Sequence, residues 1–229
     1  DLIREQLVKA ADQIRGLRNR QFTAVEEEKR LSAKAIAARR WDIATAKQSL
    51  PDLLKQQESL AAEVRSLIDK RFSDVPVFAS MLRQSAEAID QAVVQLRARE
   101  SSVIDQLEGI SDFSNELEVA ADQRIRSRQE LALKRLDRLL EALKPDKEMF
   151  KPQPKPKRIE GEPMMAEPKD RPSDSLPPLA QLKALRSLQI DLSEQTTAFD
   201  MAHPNRAKLT EGELAELEAL KKAQLDVAE

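Results

Sequence analysis

Cysteine and tyrosine are absent from this chain of 229 residues, and tryptophan and histidine occur once each, as Trp41 and His203. Without cysteine there can be no disulfide, no zinc–thiolate centre and no cysteine nucleophile. A single histidine excludes the paired-histidine zinc sites and the twin Glu-x-x-His motifs of di-iron helical proteins. The four glycines, Gly16, Gly109, Gly161 and Gly212, lie too far apart to build a phosphate-cradling loop. Gly-x-Ser-x-Gly, the mark of a serine-nucleophile turn, does not occur. Nor does any apolar run approach the roughly 18 residues that a membrane-spanning helix requires, and the opening residues do not have the charged-then-apolar order of a signal peptide. A chain that opens on Asp1 and closes inside a helical pattern reads as a piece of a longer protein. Membrane attachment is therefore expected only through a segment outside it.

What is abundant is helix former. Leu and Ala occur 30 times each, charged residues make up 34% of the chain and aromatics only 3%. Strands need aromatic and β-branched residues with glycine-rich turns, so the composition predicts an all-α protein. The net charge of −2 is spread without a strongly one-signed segment, which disfavours non-specific nucleic-acid binding.

Proline divides the chain. Nine of the twelve prolines lie between Pro145 and Pro178. Internal prolines remove helix hydrogen bonds and clash with the preceding turn, and the surrounding charge leaves little to bury. The expected organisation is an elongated helical bundle or antiparallel coiled coil over 1–144, a Pro-rich linker over 145–178 and a helical hairpin over 179–229.

Within 1–144 four helical runs are predicted. The first, about 1–48, carries Ile3, Leu7, Ala10, Ile14 and Leu17 at alternating steps of four and three, continued by Ala24 and Leu31, with Gln21 and Glu28 interrupting the same seam. A helix of that length would rise about 72 Å. Ser49-Leu50-Pro51-Asp52 and Ser73-Asp74-Val75-Pro76 read as boundaries, each with a capping candidate before an early proline. Between them Leu53, Gln57, Leu60, Val64 and Leu67 form the second stripe. The third run, about 76–108, has Leu82, Ile89, Leu96, Val103 and Ile110 at five successive heptad steps, and Gly109 is expected to cap it. This stripe serves either as the core of the chain's own bundle or as a seam for another chain. The fourth run covers about 113–143. After the linker, Leu179, Leu182, Leu185, Leu188, Leu192 and Phe199 mark an amphipathic helix, and Thr210-Glu211-Gly212-Glu213 fits a capping box before a last helix.

Few residues suggest chemistry. Asp200 and His203 could touch one metal ion, but a histidine at a helix C-terminus ordinarily complements the helix dipole. No catalytic, cofactor-binding or metal-binding residues are assigned and no small-molecule substrate is expected. Basic clusters occur at Arg15, Arg18 and Arg20, at Arg39-Arg40-Trp41, and along Arg124, Arg126, Arg128, Lys134, Arg135 and Arg138. They support an alternative reading as a nucleic-acid-binding helical adaptor, with Trp41 stacking on a base. The opposing reading is a solvated helix face with ion pairs four residues apart, such as Glu26 with Arg30 and Glu130 with Lys134. Lys151–Arg158 reads as a spacer, as a peptide for a groove that binds polyproline, or as a basic patch on anionic lipid.

Leu53-Leu54-Lys55-Gln56-Gln57-Glu58-Ser59-Leu60-Ala61, Pro76-Val77-Phe78-Ala79 and Arg135-Leu-Asp-Arg-Leu-Leu-Glu-Ala-Leu-Lys-Pro145 resemble helical regions of large bacterial membrane-anchored proteins. Those proteins carry long coiled-coil segments outside the inner membrane. The resemblance spans roughly 50–145 and implies a place in the bacterial cell envelope, with no catalytic residues to carry over. The expected function is therefore structural: a non-enzymatic scaffold binding protein partners, a second copy of itself among them, through long amphipathic helices.

Overall fold

The computed structural model describes residues 2–144, 176, 178–204 and 209–228. The protein is all-α, with no strand among these residues. Six α-helices are found: α1 (Leu2–Ala38), α2 (Leu50–Leu67), α3 (Pro76–Leu107), α4 (Asn115–Ala142), α5 (Pro178–Ala202) and α6 (Glu211–Ala228). The Pro-rich linker expected over 145–178 falls outside the described residues except for Leu176 and Pro178, as does Lys151–Arg158.

The first helix is shorter than its pattern predicts. It stops at Ala38, because Arg39 adopts the left-handed conformation at φ 51°. The Arg40 amide then donates to the Ala35 carbonyl at 3.1 Å and the Arg39 amide to Ile36 at 3.2 Å. These two bonds make a Schellman stop, built here on arginine instead of glycine. At 37 residues, α1 is about 56 Å long. The chain turns through Trp41, and Asp42 caps the next helical segment, its carboxylate accepting from the Thr45 amide at 2.8 Å and hydroxyl at 2.7 Å.

Pro51 therefore lies inside a helical stretch and not at its start. A π-helical turn, Thr45–Ser49, precedes it, and the Leu50 amide donates five residues back to Thr45. This wider turn stands immediately before a proline that has no N–H to give. A second π turn, Ile68–Phe72, closes α2. The expected boundary at Val75-Pro76 is present: Val75 flanks α3 and Pro76 is its first residue. Phe72 and Phe78 stack across it with ring centroids 5.6 Å apart. Gly109, at φ 74°, ends α3 with the same Schellman bonds, from Ile110 to Asp105 at 2.8 Å and from Gly109 to Gln106 at 3.3 Å. The Ser114 hydroxyl accepts from Leu117 to start α4.

α1 packs on α2 and α4, α3 packs on α2 and α4, and so the four helices close around one interior. Two apolar clusters fill it. One joins Ala10, Ile14 and Leu17 to Leu60, Val64, Leu82, Ile89, Leu136 and Leu139. The other joins Ala24, Leu31 and Trp41 to Leu50, Leu53, Leu96, Val103 and Ile125. Residue numbers rise along α1 and α3 as they fall along α2 and α4, so neighbouring helices run antiparallel. α5 lies against α3 and α4, with Ala180, Ala184 and Leu188 entering the first cluster. α6 packs on α5. The capping box forms as its spacing predicts: the Thr210 amide donates to Glu213 Oε2 at 2.6 Å and the Glu213 amide to Thr210 Oγ1 at 3.4 Å.

Candidate functional site

A set of polar and charged side chains lies buried in the interior. Three glutamines, Gln21, Gln57 and Gln129, are fully buried and occupy the level between the two apolar clusters. Gln57 Nε2 donates to Gln21 Oε1 at 3.2 Å, and Gln21 Nε2 donates to the Gln129 carbonyl at 3.1 Å. The Gln129 side-chain amide finds no partner at either atom. Gln21 and Gln57 sit on the apolar seams of their helices, so the interruptions in the sequence pattern are a polar layer in the core.

About two turns further along lies a buried ionic layer. Arg99 of α3 donates to Glu28 Oε1 at 2.8 Å, to Glu118 Oε2 at 3.0 Å and to the Ser32 hydroxyl at 3.3 Å. Its guanidinium lies over the Trp41 ring, 5.0 Å from the centroid. Gln106 Nε2 also donates to Glu118, at 2.9 Å, and Arg126 pairs with Asp122. Three buried carboxyl groups thus face the buried Arg99 and the half-buried Arg126. Burial first, then the hydrogen bond and negative charge of Asp122, push the Glu28 carboxyl up to about 8, against the opposing pull of Arg99 and Arg126. Glu28 Oε2 and Asp122 Oδ1 both lack a conventional donor. A proton kept on Glu28 gives that group a hydrogen to donate toward Asp122.

A third polar cluster fixes α5. Asp191, 2% exposed, accepts from Arg135 Nε at 3.0 Å, from Arg138 at 2.5 Å and from Gln195 at 2.8 Å. Arg135 also donates to the Gln84 carbonyl at 2.7 Å, tying α3 to the same point. Glu194 accepts from Lys134 and Arg138, which together hold its carboxyl below the usual range.

These contacts locate the residues singled out in the sequence. Leu82, Ile89, Leu96 and Val103 are 0–1% exposed in the chain's own interior, whereas Ile110 lies beyond the end of α3 and is 70% exposed. In this structure the stripe faces inward and presents no seam to another chain. Of the basic strip, Lys134, Arg135 and Arg138 are bound to α5 and Arg126 to Asp122, leaving Arg124 and Arg128 on the surface. Arg15, Arg18 and Arg20 pair with Asp12, Asp137 and Glu63. Trp41 is buried beneath Arg99 and has no face free to stack on a base.

The ion pairs expected four residues apart form differently: Arg30 pairs with Glu27, Lys29 with Glu26 and Glu130, and Lys134 with Glu194. His203 Nδ1 lies 3.2 Å from Glu213, and its ring is 4.6 Å from Phe199, so it bridges the end of α5 and the start of α6. Among the described residues no three acidic or histidine side chains converge to hold a metal ion, and no helix is long and apolar enough to cross a membrane. Arg99, Asp122 and Asp191 carry the buried ionic contacts, and their spacing alone does not single them out. The available signal was a charged residue at core spacing, as Arg99 stands between Leu96 and Val103.

Among the described residues large apolar side chains are exposed along the four helices, as at Val8, Phe22 and Val94, and also at one end of them. The α1–α2 and α3–α4 connections lie at the same end and enclose a cleft of about 600 Å³ that includes Trp41, Ile43, Gln106, Leu107 and Phe113 in its walls. Ile43 and Leu107 in its walls are 62% and 37% exposed, and Ile110 in the α3–α4 connection and Leu117 in the first turn of α4 are 70% and 68% exposed. Comparison with protein-family models, with curated proteins and with solved structures finds no match to this chain.

Proposed function

We propose that the chain is a non-enzymatic scaffold, an elongated antiparallel bundle of α1–α4 braced by α5 and the α5–α6 hairpin, which binds protein partners through its exposed end. The observation that carries this reading is the group Ile43, Leu107, Ile110 and Leu117, large aliphatic side chains left in water at one tip of the helices. Aliphatic groups gathered in this way lose free energy when another surface covers them. The ionic contacts are compatible with the same reading. Arg99, Glu28, Glu118 and Asp122 are out of reach of any substrate, and they join α1, α3 and α4 into one body.

The nucleic-acid reading draws less support, because Arg126, Lys134, Arg135 and Arg138 are occupied by carboxylates of the same chain. A place in a bacterial envelope assembly rests on the resemblance over 50–145. The test is a photo-crosslinking amino acid placed at position 110, with a control at position 13 on α1. Protein adducts at 110 and none at 13 are the expected result. Absence of any adduct at 110 removes the reading.

A further inference from the structure

We infer that the exposed end of α1–α4 is a self-association surface, on which a second copy of this chain docks head to head. The inference rests on the scaffold reading above and names its partner. Three observations carry it.

The first is the set of exposed aliphatic side chains already described, on two connections that face the same way. The second is the distribution of charge around them. Arg39 and Arg40 stand exposed at the α1–α2 corner, and Asp105, Glu108, Asp112 and Glu116 stand exposed at the α3–α4 corner. The third is that none of these six forms an ion pair among the described residues. Some exposed charges along the helices do, as in Arg20–Glu63, Arg65–Asp90 and Arg97–Glu58, while others such as Lys55, Arg83 and Arg128 do not. One end therefore carries exposed aliphatic side chains on both connections, with unpaired basic residues on one connection and unpaired acidic residues on the other.

Such a surface complements itself. A two-fold axis lying in the plane of the end, along the cleft between the two connections, turns the basic corner of one copy onto the acidic corner of the other. The operation does this twice, and it sets Ile110 and Leu117 of each copy toward Ile43 of the other. Opposite charges orient the encounter, and the aliphatic side chains supply the apolar burial. An anionic membrane would meet the acidic corner as well as the basic one, so a lipid surface fits less well than a second copy.

Light scattering on the full chain, over an about hundredfold range of concentration, should show a monomer passing to a dimer. Ile110→Asp with Leu117→Asp should leave only monomer. Both side chains are mostly exposed, so the helical circular dichroism should not change. Arg39→Glu with Arg40→Glu should raise the dimer dissociation constant at least about tenfold, and Glu108→Lys with Asp112→Lys should do the same. Mixing these two charge variants should restore a one-to-one dimer, since each then offers what the other lacks. A wild-type chain that stays monomeric throughout overturns the inference, as does a dimer indifferent to the aspartate pair. A monomeric chain that still gives adducts to a different protein at position 110 overturns self-association and leaves the scaffold reading standing.

Discussion

The guanidinium of Arg99 donates to the carboxyl group of Glu28 across 2.8 Å, and both side chains are 2% exposed. The bond joins the middle of α3 to the middle of α1, and Glu118 of α4 completes it from the third side. Removing one member of such a set leaves the remaining charges buried and uncompensated. Arg99→Met should therefore destabilise the fold by about 3–5 kcal/mol. Urea unfolding followed by the fluorescence of Trp41, which lies against that guanidinium, checks this value. A loss under about 1 kcal/mol would mean that water reaches the layer.

Glu28 should also make stability fall as the solution becomes alkaline. Its folded value of about 8 lies above the roughly 4.3 of an unfolded glutamate. Between those two values the native state keeps a proton that the unfolded chain has released. Its contribution is thus fully present below the unfolded value and declines as pH rises through the window, by up to about 1.4 kcal/mol per pH unit, levelling above about 8. Glu28→Gln keeps an acceptor for Arg99 and offers an N–H to Asp122. The variant should show a flatter profile and be the more stable protein near pH 9, measured by urea midpoints at several pH values.

The two Schellman stops differ only in the residue at the left-handed position. Gly109 has open space around it, since nothing lies within 4 Å of where a Cβ would stand. Gly109→Ala should therefore cost only the backbone term, about 1 kcal/mol. At Arg39 the strain is already present, and Arg39→Gly should relieve it, leaving stability unchanged or raised by up to ~1 kcal/mol after the added freedom of the unfolded chain. Paired thermal melts decide this by the sign of each shift.

Gln129 is buried with both side-chain amide atoms unpartnered. An unsatisfied buried amide costs roughly 1–3 kcal/mol, and methionine has nearly the same length without the polar atoms. Gln129→Met should stabilise the protein, while its backbone carbonyl still accepts from Gln21. Denaturant midpoints compared with the wild type show whether it does.

Asp191 holds α5 by two arginines, so Asp191→Ala should release that helix before the rest. The buried Arg135 would lose its counter-charge, at a cost of about 3 kcal/mol. Hydrogen exchange should show faster amides in α5 and unchanged ones in α3. Uniform acceleration through both helices would mean that α5 and α3 unfold as one unit.

By itself the sequence determined the local states. Leucine and alanine at steps of three and four made helices, Gly109 ended one, Pro76 began one, and the Thr210 and Glu213 pair capped another, because each depends on residues within a turn or two. It misjudged the two places where backbone adapted to context, the arginine-built stop at Arg39 and the π turn ahead of Pro51, since neither residue prefers what it does there. The heptad stripe of α3 was legible as an apolar face, but periodicity gives the angle around a helix and not what lies opposite. Only the tertiary structure decided that Leu82, Ile89, Leu96 and Val103 face the chain's own core. It alone gave Gln21 its partners Gln57 and Gln129, and set Glu28 against Arg99 and Asp122. Those pairs join residues dozens of positions apart, and a buried polar group takes its partner from whichever helix the fold brings within hydrogen-bonding distance.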